Sequence, residues 1–281
     1  MHDIEIGGLA VKSMLCELAA TPKPGLVDRH NSGAHDDMDF FTFLGSATAL
    51  APYFADFARI GAEMSHAAPD ETMPPLREKG LAAERAMFAA TGGVNTHKGM
   101  IFSLGLICGA AGRIFARGER VAPEDICETA AGICAGVCRE AFVRIKAASS
   151  PTKGERVYAA HGLKGVRGEA EGGFRSVLDV SLPRYRACAE SGLCVNDALV
   201  QTLLHLVASV QDTNIISRHD MSAAAYAMER AESALSRGGM LTPEGRADIE
   251  QMDRDFIDRH ISPGGSADLL AITYFLREVV C

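Results

Sequence analysis

Tryptophan is absent from this 281-residue chain, and aromatic residues make up only 6% of it. A surface that stacks single-stranded bases on rings is therefore not expected. Basic residues are in deficit, 28 Lys and Arg against 36 Asp and Glu, for a formal net charge of −8. That balance argues against a nucleic-acid coat or a polybasic membrane surface, since both need a clustered positive face. An anionic small substrate stays open, because screening confines surface fields to about 8 Å and a few local cations with a metal ion decide what a pocket attracts. No C-x-x-C pair occurs among the eight scattered cysteines. Cys127, Cys134 and Cys138 share one helix face and read as small buried hydrophobes rather than zinc ligands or a disulfide framework. No run approaches roughly eighteen uninterrupted apolar residues. The N-terminus, MHDIEIGGLAVKSMLCELAA, lacks a basic n-region, and its apolar pattern is broken by Lys12 and Glu17. It is a poor secretory signal, so a soluble cytoplasmic protein is expected. Alternating strand-type runs, internal repeats and Walker A, Rossmann or kinase signatures are missing as well.

What is present reads as helix. With 47% hydrophobic and 23% charged residues, the chain can bury a substantial core. Ile4, Val11, Met14, Leu15 and Leu18 recur at helical spacing, and Thr21-Pro22-Lys23-Pro24-Gly25 ends that helix. A second helix is expected from about Met38 to Glu63, with Pro52 as a point where it kinks or divides. Others are expected over 76–90, 98–117 and 123–146, the last opening on Pro, Glu and Asp. From 148 to 180 the periodicity vanishes in a Gly- and Lys/Arg-rich stretch, which reads as a long functional or disordered loop. Helices resume over 196–209, 221–236, 243–259 and 266–280. The expectation is one all-α, multi-helix domain over 1–281, with a site built from loops and helix N-termini.

The polar residues gather in five junctions, four of them beside Gly or Pro. The first, PKPGLVDRHNSGAHDDMD, holds Lys23, Asp28, Arg29, His30, His35, Asp36, Asp37 and Asp39. Adjacent acids at a helix start suit Mg2+, which hands its remaining positions to phosphate oxygens; the same acids also suit helix capping. The second, TGGVNTHKG, leads through Asn95 and Thr96 into a helix whose first turn carries His97 and Lys98, a phosphate site or an ordinary glycine-rich helix start. The third brings His161, Lys164, Arg167 and Glu169 into a glycine-rich stretch, either a ligand loop or a solvated one. In the fourth, QDTNIISRH, Asp212, Asn214, Arg218 and His219 suit either capping or buried metal and ribose contacts. In the fifth, SPGGSADLLA, Ser266 is placed to cap and Asp268 to cap, ligate or act as base.

Together, PKPGLVDRHNSGAHDDMDFF, GVNTHKGMIFSLG, HGLKGVRGEAEGGF, QDTNIISRHD and SPGGSADLLA resemble the triphosphoribosyl-dephospho-CoA synthase family, which serves citrate lyase and malonate decarboxylase. These strings span the chain in family order. The resemblance implies a cytoplasmic helical enzyme acting on ATP and 3'-dephospho-CoA. The ribose 2'-hydroxyl of the acceptor attacks the anomeric carbon of ATP, adenine leaves, and the triphosphate stays attached. The product is passed on for attachment to an acyl carrier protein, and an oligomer is compatible with all of this.

Within the implied reaction, charge builds on the ribose and on departing adenine, as in other oxocarbenium-like displacements. An α-linked product from β-linked ATP implies inversion without a covalent intermediate. The expected metal ligands are Asp37, favoured over Asp36, with Asp39 or Asp212. Lys23, Lys98, Arg167 and Arg218 are the expected phosphate partners, and Arg29, Asn95, Thr96, Asn214, Ser266 and Asp268 the further substrate contacts. Glu169 or Asp212 is the expected base, and His35 or His97 the donor to adenine. Two other classes compete. HDDMD is similar to an incomplete Asp-rich motif of all-α prenyl diphosphate synthases, and a non-catalytic helical nucleotide-binding module would need fewer polar junctions.

Overall fold

A computed structural model describes residues 1–118, 121–137 and 153–280. Thirteen α-helices and no strand occur among the described residues. In chain order they are α1 (Asp3–Ala19), α2 (Phe40–Glu63), α3 (Met73–Ala90), α4 (Lys98–Ala116), α5 (Pro123–Ile133), α6 (Lys153–His161), α7 (Gly165–Glu171), α8 (Leu182–Glu190), α9 (Val195–Ser209), α10 (Thr213–Arg218), α11 (Met221–Ser236), α12 (Pro243–Asp258) and α13 (Gly264–Val279). Short 3-10 turns lie at Pro69–Thr72 and Gly239–Leu241, and a π-type turn at Ser176–Ser181. The expected all-α class is what the chain adopts.

Two helices are apolar nearly all round and form the centre. α4 is long and apolar enough to cross a membrane, yet 78% of that window is buried inside the fold, so it is a core helix. α13 is buried almost continuously from Leu269 to Leu276. It packs on α1 and α4 at one side and on α8 and α9 at the other, joining both groups of helices to one core. Phe54, Phe57, Phe256 and Phe275 fill that core, each contributing about 2–3 kcal/mol by leaving water. α1, α2 and α4 approach backbone to backbone through glycine. A Cβ at Gly61 would sit 1.9 Å from the Gly109 carbonyl oxygen, and one at Gly112 would sit 2.0 Å from that of Ala58. Buried Arg113 on α4 donates to the carbonyls of Met64 and Ala67 and to Thr72, fixing the turn after α2.

Several boundaries differ from expectation. The stretch over 148–180 is not one long loop: from Lys153 onward it forms α6, α7 and the π-type turn. Glycines at 162, 165, 168, 172 and 173 hide its periodicity, and packing of α7 on α5 and α4, and of α6 on α10, supplies what propensity lacks. α8 was also unforeseen. The helix expected over 123–146 ends at Ile133, and its residues from 138 onward lie outside the described residues, as do Cys138 and residues 148–152. α2 runs unbroken through Pro52. α13 opens at Gly264, so Ser266 is its third residue rather than its N-cap.

Candidate active site

The loop between α1 and α2 is held from within. Asp28, buried, accepts from the backbone N–H of Lys23, His30 and Asn31. Asp253 of α12 accepts from Gly25 N–H at 2.9 Å and from Asn31 Nδ2 at 2.9 Å. Gly25 and Gly33 take positive φ, and a Cβ at Gly25 would collide with the Ile261 carbonyl at 2.0 Å. So braced, the loop points Lys23 inward. Its Nζ lies 2.5 Å from Glu17 Oε1 of α1, and both side chains are at most 5% exposed. Burial raises the Glu17 carboxyl above the usual range, Lys23 opposes that, and Asp28 adds to it.

This pair lies on the wall of a cleft into which the N-termini of α4 and α13 both open. Gly99, Met100 and Gly264 line it, with Lys98 and Arg218 among the cations at its edge. Two helix N-termini beside basic side chains make a site for an anion. Lys98 Nζ also pairs with Glu84 at 2.9 Å, but the lysine is half exposed, so this contact is weak and screened.

Asp268, in the first turns of α13, also lines the cleft. Its Oδ2 lies where a side chain at position 99 would begin: a Cβ on Gly99 would be 2.2 Å away. Burial, then Glu17, then Asp212 push its carboxyl well above the ordinary range. Among the described residues, the only buried side-chain N or O atoms without both a partner and an opening are the Nε atoms of Arg113 and Arg230. The Asp268 oxygens, Glu17 Oε2 and His97 Nε2 have no protein hydrogen bond and are not sealed from solvent, and all three residues line the cleft.

His97 is 3% exposed, with Phe43 edge-on at 4.9 Å between centroids. Its Nδ1 is 2.8 Å from Ser46 Oγ, which accepts from Thr96 Oγ1 at 2.8 Å. Burial, aided by Lys23, lowers its pKa to about 3, so it is neutral near pH 7. His35 lies across the cleft, Nε2 at 3.0 Å from Ser262 Oγ and Nδ1 facing Arg218 Nη1 at 3.5 Å. Its pKa is lowered by burial and then by Arg218, against Asp37 and Asp36. Both shifts favour the neutral imidazole.

The expected residues thus divide. Lys23, His35, Asn95, Thr96, His97, Lys98, Asn214, Arg218 and Asp268 share the cleft. The expected cation ligands do not converge, since no group of three His, Cys, Asp or Glu side chains suited to a metal exists among the described residues. Asp37 is 65% exposed near His35, at 4.0 Å. Asp39 caps α2, accepting from Thr42 N–H at 2.8 Å and Oγ1 at 2.7 Å, which lowers its pKa. Asp212 is a buried brace between two helix starts. Its Oδ1 accepts from Asn214 N–H at 2.9 Å, and its Oδ2 accepts from Ser266 N–H at 2.8 Å and Oγ at 3.1 Å. Ser266 is therefore spent on that brace. Arg29 is exposed and donates to Asn196 Oδ1 at 3.0 Å. Glu169 accepts from Ser176 Oγ at 2.6 Å, Arg167 faces Glu155 at 3.7 Å, and neither lines the cleft.

Glu17, Ser46 and Ser262 escaped the sequence reading. Glu17 carried a usable signal: it falls on the buried face Ile6, Ala10, Ser13, Glu17 at spacings of four, three and four. An acid on such a face is paired or functional.

Fold and cleft together define a class: an all-α protein with a cleft at two helix N-termini whose lining suits an anion. The chain belongs to the ATP:dephospho-CoA triphosphoribosyl transferase family, which it matches over residues 4–280. It is 43% identical over 275 residues to a Vibrio cholerae serotype O1 protein described as a "Probable 2-(5''-triphosphoribosyl)-3'-dephosphocoenzyme-A synthase", spanning 98% of this chain and 88% of that one. A protein of the same description from Salmonella gallinarum is 42% identical over 274 residues, spanning 98% and 90%. In fold, the chain is similar to a solved structure described as "Crystal structure of putative triphosphoribosyl-dephospho-coA synthase from Archaeoglobus fulgidus". The TM-score is 0.56 at 19% identity, covering 84% of this chain and 98% of that one.

Proposed function

We propose that the protein transfers the triphosphoribosyl group of ATP to the ribose 2'-hydroxyl of 3'-dephospho-CoA and releases adenine. The observation that carries this is the cleft itself: in a chain of this family, two helix N-termini, three cations and an unpartnered carboxylate meet at one place. The triphosphate would rest on the amides of Gly99 and Met100 in the first turn of α4 and of Gly264 at the start of α13, with Lys98 and Arg218 at its flank and Lys23 at depth. Such a grip fixes the ribose while the bond from its anomeric carbon to adenine breaks and the acceptor oxygen takes its place. The phosphate bonds stay intact.

Asp268 and Glu17 fit a requirement for Mg2+, because each presents oxygen without a protein partner to the cleft. That ion takes one or two carboxylates and fills its other positions with water and phosphate oxygens. When bound, it would supply charge neutralisation to the triphosphate. Asp37, Asp39 and Asp212 are not assigned to it. The product would pass to the acyl carrier subunit of citrate lyase or malonate decarboxylase. The test is adenine release from ATP with Mg2+, which should occur only when 3'-dephospho-CoA is added. Release without the acceptor, or turnover of isoprenyl diphosphates instead, would overturn the proposal.

A further inference from the structure

Ser46 and Thr96 belong to separate segments, α2 and the loop before α4, yet they form a short relay to His97. Thr96 Oγ1 donates to Ser46 Oγ at 2.8 Å, and Ser46 Oγ lies 2.8 Å from His97 Nδ1. A hydroxyl has one proton to give. Ser46 is fully buried and Thr96 is the donor in their bond, so His97 Nδ1 is the acceptor left for the Ser46 proton. That bond leaves the ring proton on Nε2, the nitrogen without a protein partner on the cleft side.

We propose that Ser46, oriented by Thr96, is a positioning residue that holds His97 as its Nε2–H tautomer, giving the cleft a neutral donor aimed at a phosphate oxygen of the nucleotide. The choice of phosphate follows from position. His97 is the N-cap residue of α4, whose first turn lines the same cleft, and Lys23 is near enough to depress its pKa, so the ring stays neutral while its surroundings favour an anionic acceptor. A neutral imidazole offers one directed N–H and cannot be drawn into a competing ion pair with Glu17 or Asp268. The partner assigned to Nε2–H rests on the triphosphoribosyl-transfer reading; the tautomer does not.

Histidine-selective 15N labelling with long-range 1H–15N spectra tests it, His97 being assigned by loss of its signals in His97→Asn. The wild type should show a protonated Nε2 and a bare Nδ1 near pH 7.5. Thr96→Val, which removes the hydroxyl at constant shape, and Ser46→Ala should shift the ring toward Nδ1–H, and Thr96→Ser should restore the wild-type pattern. Inorganic tripolyphosphate should move the Nε2–H resonance in the wild type. In steady-state assays, loss of such an orienting partner should lower kcat about ten- to hundred-fold with a smaller change in KM. An Nδ1–H tautomer in the wild type, or an unchanged tautomer in both variants, overturns the relay, and an unmoved resonance overturns the phosphate contact. A correct tautomer in a protein that releases no adenine would instead sink the transfer reading and leave the relay standing.

Discussion

Lowering the pH from 7 to 5 should cost the fold about 2 kcal/mol through His97 alone. In the unfolded chain an imidazole titrates near about 6.5, whereas burial among Phe43, Ser46 and Lys23 holds His97 to about 3. The folded pKa is the lower one, so the unfolded state binds the extra proton below about pH 6.5 and stability falls with pH through that window. About one and a half units below the unfolded pKa, at roughly 1.4 kcal/mol per unit, gives the 2 kcal/mol. Buried acids with raised pKa, such as Glu17, Asp212, Asp253 and Asp268, act in the opposite direction, taking protons in the folded state. The assay must therefore be a difference. Urea unfolding of the wild type and of His97→Asn, followed at both pH values, isolates the ring, since every other group is common to the two. His97→Asn should be the less stable protein at pH 7, with a gap that narrows by about 2 kcal/mol at pH 5. A constant gap would refute the reasoning, because it would mean that His97 is free to protonate in the folded state.

Gly99→Ala places a methyl where Asp268 Oδ2 now lies. Activity should fall about a hundredfold from the displaced carboxylate, with Tm unchanged or raised because alanine favours the helix; full activity would remove Asp268 from the mechanism. Asp212→Ala strips the acceptor from Asn214 and Ser266 N–H groups and should cost roughly 3 kcal/mol in urea unfolding. A loss under about 0.5 kcal/mol would deny it a bracing role. Glu169→Gln should leave kcat within a factor of about three, against the 10²–10⁴ loss expected of a general base.

The helices were legible because burial of α1, α2, α4, α9 and α13 imposes a 3.6-residue period that no polar loop imitates. α6 and α7 were not, because glycine-rich, polar segments draw their helical state from neighbours rather than from their own residues. The junctions were legible as places, and four of the five contribute to one cleft. Roles were harder to read. Asp39, Asp212 and Asp268 all sit at helix starts, where an acid caps and a ligand looks alike in sequence. Only geometry separates Asp39 and Asp212, whose oxygens take backbone N–H groups, from Asp268, whose oxygens take none. Glu17 was set aside as an interruption of an apolar run, although its position on the buried face of α1 marked it as paired with something. The Ser46–His97 contact joins residues 51 positions apart, a distance at which no local pattern operates.

The central claim is that the carbon–nitrogen bond of ATP breaks while its phosphate chain survives. Mass spectrometry of the reaction with ATP, Mg2+ and 3'-dephospho-CoA tests this most directly. The account predicts one product with the mass of 3'-dephospho-CoA plus the triphosphoribosyl group, formed in equal amount to free adenine. Phosphorylated 3'-dephospho-CoA with ADP, or an adenylylated product with diphosphate, would contradict it.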